Sequence, residues 1–188
     1  MKNGTFVAVV GPSGVGKDSV IDFARDRLEA SGAVVFVRRV VTRPADGGSE
    51  DHDSMDAAAF AAAEADGAFA LSWGAHGLRY GLPISLERDL DQGKVVVANL
   101  SRGVIPALMA RYPSAIVVSV TADREVISQR LANRGRETAD SIQRRLSRSV
   151  VEPLPASTVT IDNTGALASA GSQFVRLLQD AAQVNERA

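Results

Sequence analysis

Thr5-Phe6-Val7-Ala8-Val9-Val10 runs directly into Gly11-Pro12-Ser13-Gly14-Val15-Gly16-Lys17-Asp18-Ser19, and this stretch decides the fold. The first part is a continuous apolar run rich in valine, which suits a strand buried on both faces of a parallel sheet. The glycine-rich part after it matches G-x-x-x-x-G-K in the context that gives the match meaning, between a buried strand and a helix. Glycine lets backbone N–H groups converge on phosphate oxygens without an obstructing Cβ, and the helix beyond adds the positive end of its dipole. Lys17 is spaced to reach the β- and γ-phosphates. Gly11, Pro12, Ser13, Gly14, Val15, Gly16, Lys17, Asp18 and Ser19 are therefore the expected nucleotide-binding residues, with ATP and Mg2+ as the expected cofactors. One position departs from the motif: Asp18 stands where Ser or Thr usually supplies a hydroxyl to magnesium. A carboxylate is a hard oxygen ligand, and the strand ending at Asn99 lacks the acid often found there in phosphate-loop enzymes. Asp18 is the expected metal ligand.

Outward from the loop, apolar positions Val20, Ile21, Ala24 and Leu28 recur at helical spacing over Asp18 to Ala30, with Gly32 placed to end the helix. Strands are expected over Ala33 to Val37, Phe69 to Trp73, Lys94 to Ala98, Ala115 to Thr121 and Thr158 to Ile161. Helices are expected over Asp56 to Ala65 with Ser54 as cap, Ile84 to Gln92, Arg102 to Arg111, Asp123 to Asn133, Asp140 to Val150, and Ala166 to about Ala182. Strands and helices alternate throughout, an order that calls for an α/β sandwich with ligands at the carboxyl ends of parallel strands.

A chain of 188 residues fits one domain with a well-buried core. The 45% hydrophobic and 23% charged fractions are those of a folded soluble protein, and no apolar run reaches the roughly 20 residues that span a bilayer. The N-terminus reads as mature and cytoplasmic, because its short apolar run leads into a phosphate loop and not a cleavage site. No cysteine is present, which excludes disulfides, thiolate metal sites and a cysteine nucleophile. A net charge of −1 gives no overall field for nucleic acid, and 5% aromatics supply few stacking platforms. Arginines nevertheless gather in two groups, Arg38, Arg39 and Arg43, then Arg130, Arg134, Arg136, Arg144, Arg145 and Arg148. Their planar forks suit phosphate.

Beyond the loop, Thr42-Arg43-Pro44, Gly48, Glu50, Asp51, Phe60, Gly67, Phe69, Trp73, His76-Gly77 and Tyr80-Gly81 fall in the order of the guanylate kinase family. So do Arg130-Leu131, Arg134-Gly135, Glu137, Ile142 and Arg145-Leu146. The chain resembles that family over nearly its whole length. The resemblance implies a P-loop NTPase three-layer sandwich with a parallel central sheet, in one domain. Its core would span about 1–38, 84–130 and 149–188, its acceptor-binding region about 39–83, and its lid about 131–148. It further implies Lys17, Arg134, Arg145 and Arg130 as catalytic contacts to the phosphates in flight. Such arginines offset charge on the transferred group and exclude water on closure.

The departures fall on residues that read guanine in that family. Arg39 stands where a small hydroxyl residue contacts the base, and Ser72 lies near the place of a base-reading Glu. Arg79 replaces the first of two tyrosines before glycine, while Asp46 stands where a second phosphate-binding arginine is expected. A pocket that lacks the base-pairing carboxylate loses selectivity for guanine. Together with Gly16-Lys17-Asp18, Val41-Thr42-Arg43-Pro44-Ala45-Asp46, Glu50-Asp51-His52, Ser72-Trp73 and His76-Gly77-Leu78-Arg79-Tyr80-Gly81, this pattern is similar to the ribose 1,5-bisphosphate phosphokinase family. That resemblance implies phosphorylation of a small phosphorylated sugar, ribose 1,5-bisphosphate, to 5-phosphoribosyl 1-diphosphate in phosphonate breakdown. The expected acceptor contacts are Arg39, Arg43, Glu50, Asp51, Ser72, His76, Arg79 and Tyr80. Two alternatives stay open from the residues: a guanylate or other nucleoside monophosphate kinase, which differs at Arg39, Ser72 and Arg79, and a catalytically silent interaction module. The intact Lys17, Arg134 and Arg145 weigh against the second. The sequence leaves the oligomeric state open.

Overall fold

The computed structural model describes residues 4–43, 52–75, 77–133 and 153–187. At its centre is β1 (Thr5–Val10), paired in parallel on one side with β7 (Val95–Asn99) and on the other with β8 (Ile116–Thr121). β2 (Val34–Phe36) and β9 (Val159–Asp162) close the two edges, so the five strands run β2-β7-β1-β8-β9, all parallel. Alternate residues of β1 serve opposite layers, as the two-residue period of a strand requires. Val7 and Val9 pack with Val20, Ile21 and Ala24 of α1 (Lys17–Leu28) and Phe174 and Leu178 of α6 (Leu167–Arg187). Phe6, Ala8 and Val10 pack with Leu86 and Leu90 of α3 (Leu86–Asp91) and Ile105 and Leu108 of α4 (Ile105–Arg111). Each layer is fully apolar, which is why β1 carries no polar residue after Thr5. The result is the expected three-layer sandwich.

A second sheet departs from simple alternation of strand and helix. β3 (Arg39–Val41), β4 (His52–Ser54), β5 (Phe69–Ala75) and β6 (Leu78–Pro83) lie in the order β4-β3-β6-β5. Only the β3 and β4 pair is parallel. Three of these strands have no counterpart in the sequence expectations, because β3 and β4 are three residues long and β6 contains Gly81 and ends at Pro83, both poor strand formers. The cap of α2 (Ala57–Ala65) is also corrected. Ser54 belongs to β4, and Asp56 caps the helix by accepting a 2.8 Å hydrogen bond from the Ala59 amide. α5 (Arg124–Asn133) follows β8 as expected, while the helix expected over 140–150 lies outside the described residues. Among the described residues no helix is long and apolar enough to cross a membrane.

Candidate active site

The loop between β1 and α1 is built around left-handed glycines. Gly14 and Gly16 have φ of 83° and 90°, and Gly16 is the N-cap of α1 without any side-chain cap. The first amides of α1 are thereby presented to the loop. Lys17 folds back across it, its Nζ donating to the carbonyls of Gly11 (2.9 Å) and Pro12 (3.3 Å). Asp18 and Ser19 then diverge. Ser19 is exposed on the helix, whereas the half-buried Asp18 turns to β7 and accepts a 2.7 Å hydrogen bond from Asn99 Nδ2. In-register pairing of Val9 with Asn99 sets the end of β7 beside the start of the loop, which makes this contact possible.

The far side of the loop is pinned by two residues from elsewhere in the chain. Asn163, 2% exposed, donates through Nδ2 to the Val15 carbonyl at 2.8 Å, while its own amide donates to Thr121 O at 2.7 Å. Arg130 donates to the same Val15 carbonyl at 3.1 Å and to Asn163 O at 2.9 Å. Its guanidinium thus fixes the loop to the end of β9.

One surface of the second sheet carries Arg39 within electrostatic reach of Asp18. Arg39, Val41 and Tyr80 share that surface by strand alternation and by the Val41–Tyr80 register. Arg39 is 6% exposed and lies 5.5 Å from the centroid of the Tyr80 ring, which itself stacks on Trp73 at 5.4 Å. Trp73 in turn donates from Nε1 to Ser101 Oγ at 3.0 Å, tying this surface to the core. Burial presses the Arg39 pKa below its ordinary value and the like charge of Arg43 adds to this, while Asp18 and Tyr80 oppose it. Arg43 reaches His52, buried beside Arg39 in register, with NH2 to Nδ1 at 3.5 Å. Arg39, Arg43 and His52 therefore cluster on this sheet, with Arg39 within electrostatic reach of Asp18 at the end of the phosphate loop. A buried guanidinium such as that of Arg39 interacts most strongly with an anion of matching geometry.

No protein-family model matches the chain. It is 50% identical over 184 residues to the ribose 1,5-bisphosphate phosphokinase PhnN of Chelativorans sp. (strain BNC1), covering 97% of this chain and 88% of that protein. The chain belongs to the ribose 1,5-bisphosphate phosphokinase family. The protein of that name from Brucella melitensis biotype 2 is 48% identical over 180 residues, 95% of this chain and 94% of its own. Among solved structures, guanylate kinase from Anaplasma phagocytophilum shares the fold, with a TM-score of 0.68 at 17% identity over 95% of this chain and 86% of its own.

In this ribose 1,5-bisphosphate phosphokinase family member, the structure gathers Arg39, Arg43 and Tyr80 about one face of the second sheet, with Arg39 in reach of the Asp18 charge, and places Ser72 and Arg79 apart from them. Those two lie on the opposite face of the second sheet, where both donate to Glu64 Oε1 on α2. Arg79 also sits 5.5 Å from the Phe60 ring centroid, with its side chain 49% exposed. Neighbours along a strand point to opposite faces, so Tyr80 and Arg79 cannot share one cleft. An ion pair this exposed contributes about 0–1 kcal/mol. Arg79→Ala should accordingly change kcat/KM for the acceptor by less than about fivefold, checked by initial rates across acceptor concentrations. Glu50, Asp51, His76, Arg134 and Arg145 lie outside the described residues. Sequence reasoning missed Asn163 as a loop anchor and Asn99 as the partner of Asp18. In both cases the only signal was an asparagine directly after or at the end of a parallel strand.

A magnesium ion fits the residues present. Asp18 offers a carboxylate beside the loop with Asn99 occupying only one of its lone pairs. Magnesium in phosphate-transfer sites takes one or two carboxylates, with substrate phosphates and water filling the rest. Among the described residues no cluster of three or more His, Cys, Asp or Glu offers a denser cage. Asp18 would be the protein ligand of such a phosphate-held ion.

Proposed function

We propose that this protein transfers the γ-phosphoryl group of ATP to the 1-phosphate of ribose 1,5-bisphosphate, giving 5-phosphoribosyl 1-diphosphate and ADP. The observation that carries the reading is the buried Arg39 beside Arg43, facing the phosphate loop in place of a base reader. The names of relatives at 50% and 48% identity support it.

An oxygen of the acceptor 1-phosphate attacks the γ-phosphorus, and the bond from that phosphorus to the β–γ bridging oxygen breaks, so the electron pair leaves with ADP. The nucleophile is already anionic. No strong general base is required, and His52 serves as a hydrogen-bonding wall. Catalysis then rests on positioning and on charge. Arg39 and Arg43 hold acceptor phosphate, and Tyr80 backs Arg39 and keeps water from that side. The loop amides and Lys17 hold the β- and γ-phosphates, and Arg130 keeps the loop in register through Val15. Arg134 and Arg145 offset charge on the group in transit. Magnesium, when bound, neutralises phosphate charge next to Asp18.

Phosphorus NMR tests the reading directly. The protein with Mg-ATP is offered ribose 1,5-bisphosphate, ribose 5-phosphate, AMP and GMP in separate tubes. New diphosphate resonances in the first tube, with the 5-phosphate signal unchanged, are expected. Growth of a diphosphate signal from GMP at equal or greater rate would overturn the assignment.

A further inference from the structure

We infer that Asn99 is a positioning residue that aims the Asp18 carboxylate at the nucleotide-bound cation, and that positions 18 and 99 have exchanged their usual partners. Phosphate-loop enzymes of this fold commonly set a neutral hydroxyl after the loop lysine and an acid on the neighbouring strand. Here the acid is at the loop and the neutral donor is on the strand. The contact between them, Asn99 Nδ2 to Asp18 Oδ1 at 2.7 Å, joins residues 81 apart in the chain.

The chemistry of the pair fixes its sense. A carboxylate accepts only, so the amide must present its NH2 to Asp18, and a flipped amide would set oxygen against oxygen. The bond takes one lone pair of one oxygen and restricts rotation of the carboxylate. On another side the Asp18 charge acts on the buried Arg39 guanidinium. The Asn99 contact thus restrains the Asp18 carboxylate at the start of α1, directly after the loop, while three of its four lone-pair sites are left for other ligands. The two positions together carry one negative charge and one neutral hydrogen-bonding group, the same sum as the ordinary arrangement. An exchange that preserves the charge and keeps one neutral donor beside the acid should be reversible by mutation.

The inference rests on the loop being an ATP site, and the test uses no acceptor, so its failure is distinguishable from failure of the acceptor assignment. Mn2+ serves as the spectroscopic probe, because it takes the same hard oxygen ligands as magnesium. Electron paramagnetic resonance would follow Mn2+ binding to the protein with ADP, for wild type, Asn99→Ala, Asp18→Thr and the double variant Asp18→Thr with Asn99→Asp. Loss of an outer partner of a metal ligand typically weakens binding about 10–100-fold, and that loss is expected for Asn99→Ala. Asp18→Thr should lose at least as much. The double variant, with one acid and one donor restored in exchanged places, should bind Mn2+ about tenfold more tightly than Asp18→Thr alone. Thermal melts and ADP affinity without metal show that each protein is folded. Wild-type Mn2+ binding by Asn99→Ala would overturn the positioning role. A double variant no better than Asp18→Thr would overturn the exchange.

Discussion

Arg39→Ser is expected to lower kcat/KM for ribose 1,5-bisphosphate by about 10–100-fold, because a charge-assisted hydrogen bond contributes about 1.5–3 kcal/mol. The KM for ATP should stay within about threefold. The asymmetry follows from position. Arg39 lies on β3, across the cleft from the loop and packed over Tyr80. It feels the ATP side through the charge of Asp18, which would persist in the variant. Serine is also the kind of small hydroxyl residue that the resemblance to guanylate kinases implies at this position, so the variant tests the reading in the sense most favourable to a purine. Equal losses for ATP and acceptor would mean that Arg39 supports the cleft as a whole and not the acceptor phosphate.

Gly16→Ala should reduce kcat by about 100-fold, the cost of displacing a catalytic group by about 1 Å. The backbone at Gly16 has φ of 90°, a conformation that costs an L-residue about 1–2 kcal/mol. An added Cβ would lie 2.5 Å from Asn163 Nδ2. Asn163 cannot yield, since its side chain holds the Val15 carbonyl and its backbone holds Thr121, with Arg130 bonded to its own carbonyl. The loop must therefore move, carrying Lys17 with it. Gly67→Ala is the control. It too has positive φ, at 73°, but nothing lies within 4 Å of the added methyl, so the variant should lose stability without losing kcat. Steady-state rates beside thermal melts of both variants separate the two effects. A Gly16→Ala protein with wild-type kcat would show that the loop tolerates the shift.

The core of the fold was legible because its signals are local. β1 declares itself by an unbroken apolar run, the loop by glycine and lysine at fixed spacing, and α1 by the recurrence of Val20, Ile21, Ala24 and Leu28. The second sheet was not legible, since three-residue strands have no period to detect and their stability comes from pairing with distant segments. That gap had a consequence for the site. Without β6 as a strand, Arg79 and Tyr80 read as neighbours in one cleft, whereas alternation sends them to opposite faces. Asn99 and Asn163 were hidden for a different reason: their partners lie 81 and 148 residues away, and no local pattern encodes such a contact. Arg130 was legible as an important arginine, yet its fork is spent on the Val15 and Asn163 carbonyls, 115 and 33 residues away in the chain, which no local pattern reveals.

In the proposed function, the buried Arg39 and its neighbour Arg43 take the place of base recognition in the acceptor cleft. The measurement that meets it most directly is the ratio of kcat/KM for ribose 1,5-bisphosphate to that for GMP, taken with the same protein at saturating Mg-ATP. A site built around polar contacts discriminates by about 10⁴-fold or more against an acceptor that leaves them unmet, and a preference of that order for the bisphosphate is predicted. Equal values, or a preference for GMP, would contradict the account.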